Sequence, residues 1–188
     1  MKILIPKGNF GYIKRKHILE VVKTLVYFAV SLSLYIAGIA ATGSNKNLLT
    51  IVAVLGCLPA SKSMVSMIMF LRFKGCSEAV YKKVNHSYQN LYVLFDMVFT
   101  SYDKNFEIDH MAVNDKVICA YSEKEKLDEK AFEKHLTEML TQNGLKNTTV
   151  KVFRDITKYQ NRLEQLEELA ELGKTAEAVR TLMLEISL

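Results

Sequence analysis

The chain has 188 residues, 49% of them hydrophobic and 24% charged, and a net charge of +5. Both fractions lie near globular averages, and the length allows one ordinary globular domain or a small domain joined to a membrane element. Three widely separated cysteines, Cys57, Cys76 and Cys119, form no CxxC pair, and His17, His86, His110 and His135 do not cluster with them, so neither a disulfide framework nor a zinc centre has support.

The charge is segregated along the chain. Up to Lys83 there are twelve Lys or Arg against Glu20 and Glu78 alone, while residues 84–188 carry thirteen against eighteen. The first stretch, MKILIPKGNFGYIKRKH (residues 1–17), mixes basic residues with Phe10, Tyr12 and Ile13. It is expected to lie at an anionic inner leaflet, where each Lys or Arg adds about 1 kcal/mol.

Between Lys23 and Lys46 no charged residue occurs. Roughly 20 apolar residues cross a hydrocarbon core, so the spans are expected at about 20–42 and 48–72 within a hairpin unit of residues 18–73. The linker TGSNKN is too short for anything but an antiparallel hairpin. Lys14, Arg15, Lys16 and Lys23 precede the first span, Arg72, Lys74, Lys82 and Lys83 follow the second, and the turn holds Lys46 alone. The positive-inside bias therefore puts both termini in the cytoplasm of a multi-pass cell-membrane protein, a topology that suggests a bacterial inner or plasma membrane. A signal peptide would have a shorter apolar stretch, and a buried hairpin of a soluble protein would leave an uncharged helix for a small domain to cover.

Lys62 is the one charge inside the second span. Such a residue is a functional candidate by default, but its stem reaches toward the headgroups near Arg72, and snorkelling is the plainer reading. Pro59 is expected to kink the helix, with Ser61 and Ser63 bonding the carbonyls it frees. Small residues in AGIAATG permit close helix contact.

From residue 77 onward the pattern is that of a soluble domain. Ser77 is a plausible cap for a helix carrying Tyr81, Val84, Tyr88 and Leu91. The period then becomes two: Leu91, Val93, Phe95, Met97 and Phe99 alternate, which predicts a strand with one apolar face. Strands at 105–113 and 116–122 complete a meander. A helix capped at Asp128 buries Phe132, Leu136, Met139 and Leu140 and closes at Gly144. TTVKVF is a short strand, and Asp155 caps a helix with Ile156, Tyr159, Leu163, Leu166 and Ala170 on one side. The segment TAEAVRTLMLEISL gives a last helix, ending in a strand. The leucines at 163, 166, 169 and 172 could form a coiled-coil seam, but two heptads favour packing on the chain's own sheet. The expected architecture is a transmembrane hairpin followed by a cytoplasmic α/β (α+β) domain, residues 77–188. Its small, mostly antiparallel sheet comes in the order α-β-β-β-α-β-α-α.

That order, with FEIDHMAV on the second strand, resembles the PD-(D/E)xK nuclease fold of the nuclease-related (NERD) type over residues 77–153, through Ile108, Asp109 and His110. The resemblance implies a divalent metal, Mg or Mn, on Asp109, assistance from a helical Glu that Glu78 could supply, and a Glu-x-Lys on the next strand. Here the third strand reads KVICAYSEK: Ala120-Tyr121-Ser122 stand where Glu-x-Lys should fall, or Ser122-Glu123-Lys124 if the register slips by two. Glu123 and Lys124 complete a catalytic set with Asp109 only if that strand bulges. The plainer reading of Asp109 is a strand residue facing solvent or pairing with Lys116. His110 is expected on the opposite strand face.

No phosphate-binding glycine loop or serine elbow occurs. Two functions follow. One is a membrane-anchored interaction or scaffold module, a non-catalytic degenerate nuclease-like fold without cofactor, whose partners are lipid and another protein or a second copy. The alternative is a membrane-tethered, divalent-metal-dependent nuclease centred on Asp109. The acidic second half disfavours nucleic acid as a partner.

Overall fold

A computed structural model describes residues 5–85, 88–169 and 173–188, with Leu169 given by its backbone alone. His86, Ala170, Leu172 and the Leu169 side chain, which the sequence reading used, lie outside the described residues. The chain divides into two units: Ile13–Lys74, and the residues before Ile13 together with Gly75–Leu188.

The first unit consists of α1 (Tyr12–Thr42) and α2 (Leu48–Leu71). At 1.5 Å per residue, their 31 and 24 residues make rods of about 46 and 36 Å, each long and apolar enough to cross a membrane. Only 17% of the most apolar stretch of each helix is buried, far too little for core helices of a soluble protein. Towards the turn the buried positions are small: Thr24, Ser31 and Gly38 recur every seven residues on α1, and Ala53 and Ala60 do the same on α2, while Ile13, Glu20 and Phe70 are buried nearer the other end. A methyl group added at Gly56 would come within 2.8 Å of Ser31 Oγ, so the glycine makes room for the serine side chain of the facing helix. Asn47 caps α2 by accepting from Thr50 N–H at 2.8 Å.

Pro59 lies inside α2, and Ser61 donates to the Cys57 carbonyl at 2.8 Å. Ser63 departs from expectation: its hydroxyl is buried and pairs across the hairpin with Thr24 Oγ1 at 2.8 Å. A hydroxyl in the seam has no water to bond, so it takes the facing hydroxyl.

The second unit opens with α3 (Glu78–Val84), followed by β1 (Tyr92–Thr100), β2 (Asn105–Val113), β3 (Val117–Tyr121), α4 (Glu129–Gln142), β4 (Thr149–Phe153), α5 (Ile156–Leu169) and α6 (Lys174–Ile186). The four strands form one mixed sheet in the order β1-β2-β3-β4. The first three are antiparallel neighbours and β4 runs parallel to β3, as a crossover through α4 requires. Each face of the sheet is covered. Phe132, Leu136 and Leu140 of α4, with Val179, Leu182 and Met183 of α6, close one core; Val80 and Val84 of α3, with Tyr159, Leu163 and Leu166 of α5, close the other. Asp115, in the turn after β2, caps α6 by accepting from Ala176 N–H at 2.6 Å, where the helix's own Gly173 has no side chain to do so.

The expected single apolar face of β1 is broken. Leu94 and Met97 enter the same core although three residues apart, while Leu91 and Phe95 enter the other. On β2, Ile108 and Met111 show the same skip, and the facing pair Asp96 and Asp109 drops out of the ladder. Asp96 has φ +55°, in the left-handed region that Asp tolerates better than most side chains. This double irregularity turns a carboxylate out of each strand.

Residues from Tyr12 onward are helical, while Phe10 stacks on Tyr81 at 4.1 Å and Gly8 accepts from Phe95 N–H at 2.7 Å. An aromatic ring buries more apolar surface against two other rings than against headgroups, which fastens this segment to the sheet. Lys7 Nζ donates to the Leu184 and Ser187 carbonyls at 2.9 and 2.6 Å, placing a cation at the C-terminal end of α6. The last helix ends in a single bridge, Ser187 to Phe99, with Leu188 N–H on the Val98 carbonyl at 2.9 Å. The outer edge of β1 is thereby covered from two directions.

Gly56→Leu is expected to destabilise the hairpin by about 1–3 kcal/mol through overpacking against Ser31. Leu58→Val, on the exposed side, is expected to leave it unchanged. Thermal unfolding of the full chain in detergent micelles, followed by helical circular dichroism, measures the difference.

Candidate functional site

The ends of β2 and β3 bring together the groups that the sequence reading singled out. Ser122 follows β3 with its N–H on the Phe153 carbonyl at 3.3 Å, and its hydroxyl donates to the Glu107 carbonyl at 2.8 Å. Lys124 N–H returns to that hydroxyl at 3.2 Å. The tight turn points Lys124 back over β2, where its Nζ lies 3.3 Å from Asp109 Oδ1, 3.6 Å from Glu107 Oε1 and 3.8 Å from Glu123 Oε1. Asp109 Oδ2 accepts from Glu123 N–H at 2.7 Å.

Asp109 is wholly buried, which corrects the expectation of a solvent-facing residue paired with Lys116. The break in strand alternation is the cause: it turns the carboxylate inward, and the post-β3 turn delivers a cation to it. Burial pushes Asp109 up to about 6, against the Glu123 N–H and the Lys124 charge, which both favour the ionised form. Burial pulls Lys124 down, but Asp109 and Glu107 outweigh it and leave the ammonium above its ordinary value. Asp109 Oδ1 has that ion pair and, among the described residues, no directed hydrogen bond.

The cluster also holds the segment that follows α2 in the chain. Gly75 N–H donates to Glu107 Oε1 at 2.9 Å, and the Gly75 carbonyl accepts from Lys124 Nζ at 3.0 Å. Cys76 N–H donates to Asp96 Oδ1 at 2.6 Å, and Ser77 Oγ donates to Glu123 Oε2 at 3.3 Å. Gly75 has φ +69°, and a side chain there would meet Asp96 Oδ1 at 2.9 Å, so the close approach needs glycine. The Cys76 thiol, pushed up to about 12 by burial and by Asp109, Asp96 and Glu123, is no nucleophile.

Glu78 is exposed on the first turn of α3 and makes no hydrogen bond or ion pair with Asp109 among the described residues, so the assisting role expected of it has no geometry behind it. No group of three or more His, Cys, Asp or Glu among the described residues is arranged to hold a metal ion. A hard cation such as Mg²⁺ needs oxygen ligands at about 2.0–2.1 Å in octahedral array. Here an ammonium lies where the Asp109 and Glu107 carboxylates converge, and the residues present do not fit the ion.

His110 is equally buried but serves other partners. Its Nδ1 meets the Tyr159 hydroxyl at 2.6 Å, and its ring lies 4.5 Å from that of Phe95. Burial lowers it to about 3, so it is neutral near neutral pH and shares nothing with Asp109. Of the flanking cations, Lys14, Arg15, Arg72 and Lys74 are exposed, while Lys16 and Lys23 pair with buried Glu20 at 3.4 and 3.1 Å. Lys62 is exposed on α2 beside buried Ser63.

The sequence reading missed Glu107, Asp96 and Gly75. Glu107 was detectable two residues before Asp109 on the same strand period, and Asp96 as the one charge inside the apolar run VLFDMVF.

A carboxyl group with a folded value near 6 and an unfolded value near 4 binds more protons in the folded state between those limits. The folded state therefore loses stability as pH rises from about 4 to 6, by on the order of 3 kcal/mol if Asp109 alone is counted. Asp109→Asn is expected to flatten that part of the profile, read from thermal unfolding of both proteins across pH 4–7. Compared with known proteins, the chain matches no family model, no curated protein and no solved structure.

Proposed function

We propose that this chain is a membrane-anchored interaction module. In this reading α1 and α2 cross the bilayer as a hairpin, both ends lie on the cytoplasmic side, and the α/β unit holds another protein or a second copy of the chain there. Large apolar side chains that the protein leaves uncovered support the membrane part, among them Leu25, Leu32, Ile36, Leu55, Leu58 and Val65. The orientation is supported by Lys14, Arg15, Lys16, Lys23, Arg72 and Lys74 at one end of the hairpin against Lys46 at the other.

The observation that carries the non-catalytic part is the position of Lys124. Its ammonium is engaged by Asp109, Glu107 and the Gly75 carbonyl, while Glu107 Oε1, Asp96 Oδ1 and Glu123 Oε2 accept from the Gly75 N–H, the Cys76 N–H and the Ser77 hydroxyl, and Asp109 Oδ2 accepts from the Glu123 N–H. Charges used in this way hold a chain segment rather than a substrate. The helix, three-strand meander, helix and parallel strand support reading the unit as a nuclease-like fold that has lost its metal chemistry.

One observation favours the second reading, a tethered metal-dependent nuclease: Asp109, Glu123 and Lys124 do converge, across the register slip that such a site requires. Calorimetric titration of the full chain with Mn²⁺ in detergent, with plasmid nicking followed in the same samples, separates the two. Neither saturable binding nor nicking is expected. Binding and nicking that both disappear in Asp109→Ala would replace the module with the nuclease.

A further inference from the structure

Beside β4, on the sheet face that α5 covers, lies a concavity of about 450 Å³ lined by Lys151, Phe153, Lys158, Asn161, Arg162 and Gln165. Its volume is in the range of small-molecule sites. Three cations line it and no carboxylate does, in the half of the chain where acids outnumber bases eighteen to thirteen. None of the three has an ion-pair partner among the described residues, so the concavity holds three positive charges without a carboxylate in its lining.

The cations also converge. Lys151 on β4 stands opposite Cys119 in the β3–β4 register, and Lys158 and Arg162, four residues apart on α5, share one helix face beside it. Arg162 is half-buried, and its guanidinium donates to Gln165 Oε1 at 3.2 Å, which pre-orients the fork. Like charges gathered without internal counter-charges raise the energy of the folded chain, and a bound anion removes that cost. An arginine fork with two ammonium groups matches the oxygens of a phosphate ester, and the amides of Asn161 and Gln165 add donors. The half-buried Phe153 ring offers a flat apolar surface beside them.

We propose that this groove binds a phosphate ester of nucleotide size, with Arg162, Lys158 and Lys151 on the phosphate oxygens and Phe153 against the organic part. Three cations in one concavity are too few and too localised to track a nucleic-acid backbone, so the ligand is a small phosphate or a lipid headgroup carrying one.

The full chain in phosphatidylcholine nanodiscs is titrated calorimetrically with inorganic pyrophosphate and with ADP. Saturable binding is expected, weakened roughly ten- to a hundredfold in Arg162→Gln and in Lys158→Gln, with Arg162→Lys restoring only part of it. Thermal midpoints of the variants equal to that of the parent exclude misfolding, and Lys151→Gln gives a third, independent site should Arg162→Gln fail to fold. ADP binding tighter than pyrophosphate, and losing that advantage in Phe153→Leu, identifies a soluble ester. Pyrophosphate binding weakened when phosphatidylglycerol is added to the nanodisc identifies a lipid headgroup. No binding at millimolar probe, or binding unchanged in all three substitutions, overturns the proposal.

Discussion

The Lys124 ammonium and the Asp109 carboxylate, 3.3 Å apart, form the contact around which the α/β unit is arranged. A wholly buried carboxylate is costly unless a charge and hydrogen bonds meet it, and Asp109 receives one of each, from Lys124 and from the Glu123 N–H. Delivering them requires the chain after β3 to turn at Ser122, and it requires β2 to lose its alternation so that Asp109 points inward. The opposite strand must accommodate the same break, which it does with Asp96 in a left-handed conformation. Removing Lys124 would strand Asp109 as a buried charge with no ion-pair partner among the described residues, a larger penalty than the pair's own net contribution, whereas Lys124 without Asp109 would keep Glu107 and Glu123. The pair therefore specifies one arrangement of the strand ends more than it adds to stability.

From that arrangement follow the contacts of the two segments that flank the hairpin in sequence. Gly8 accepts from the Phe95 N–H on the outer edge of β1, and Cys76 donates to the Asp96 carboxylate one residue on. Glu107, Glu123 and Lys124 complete the hold on residues 75–77. The polar cluster is thus a device for fastening chain. The hairpin itself is held by different physics: small residues in seven-residue register, closed by the Thr24–Ser63 hydrogen bond, with bulky apolar groups turned outward.

Much of this could be read from the sequence, because periodicity reports burial directly. The α4 stripe Phe132, Leu136 and Leu140, and the α5 stripe Tyr159, Leu163 and Leu166, fall on one face at helical spacing, and both are buried. The two long apolar runs exceed any requirement of a soluble core, and α1 and α2 follow them closely. Sequence failed where two strands depart from period two together. A run such as Leu91, Val93, Phe95, Met97 and Phe99 looks uniformly alternating, since both sheet faces are apolar and a one-residue skip changes only which core each side chain enters. Asp109 was placed in solvent for the same reason. Its partner Lys124 is fifteen positions away and reaches it only through the turn at Ser122, a tertiary event with no local signature. Ser63 could be seen as polar in an apolar helix, but its partner lies on the other helix.

The position of Lys7 has a consequence in time. Its ammonium bonds the carbonyls of Leu184 and Ser187, residues 177 and 180 positions away, and Phe10 waits for Tyr81 and Phe95. The α/β unit is therefore assembled from two pieces of chain separated by the entire hairpin. During synthesis Lys7 and Phe10 have none of these partners until the hairpin helices have been made and α6 has followed. Contacts this distant in sequence form late. Closure of the α/β unit on this segment therefore waits until α6 has been made, after the hairpin has been translated.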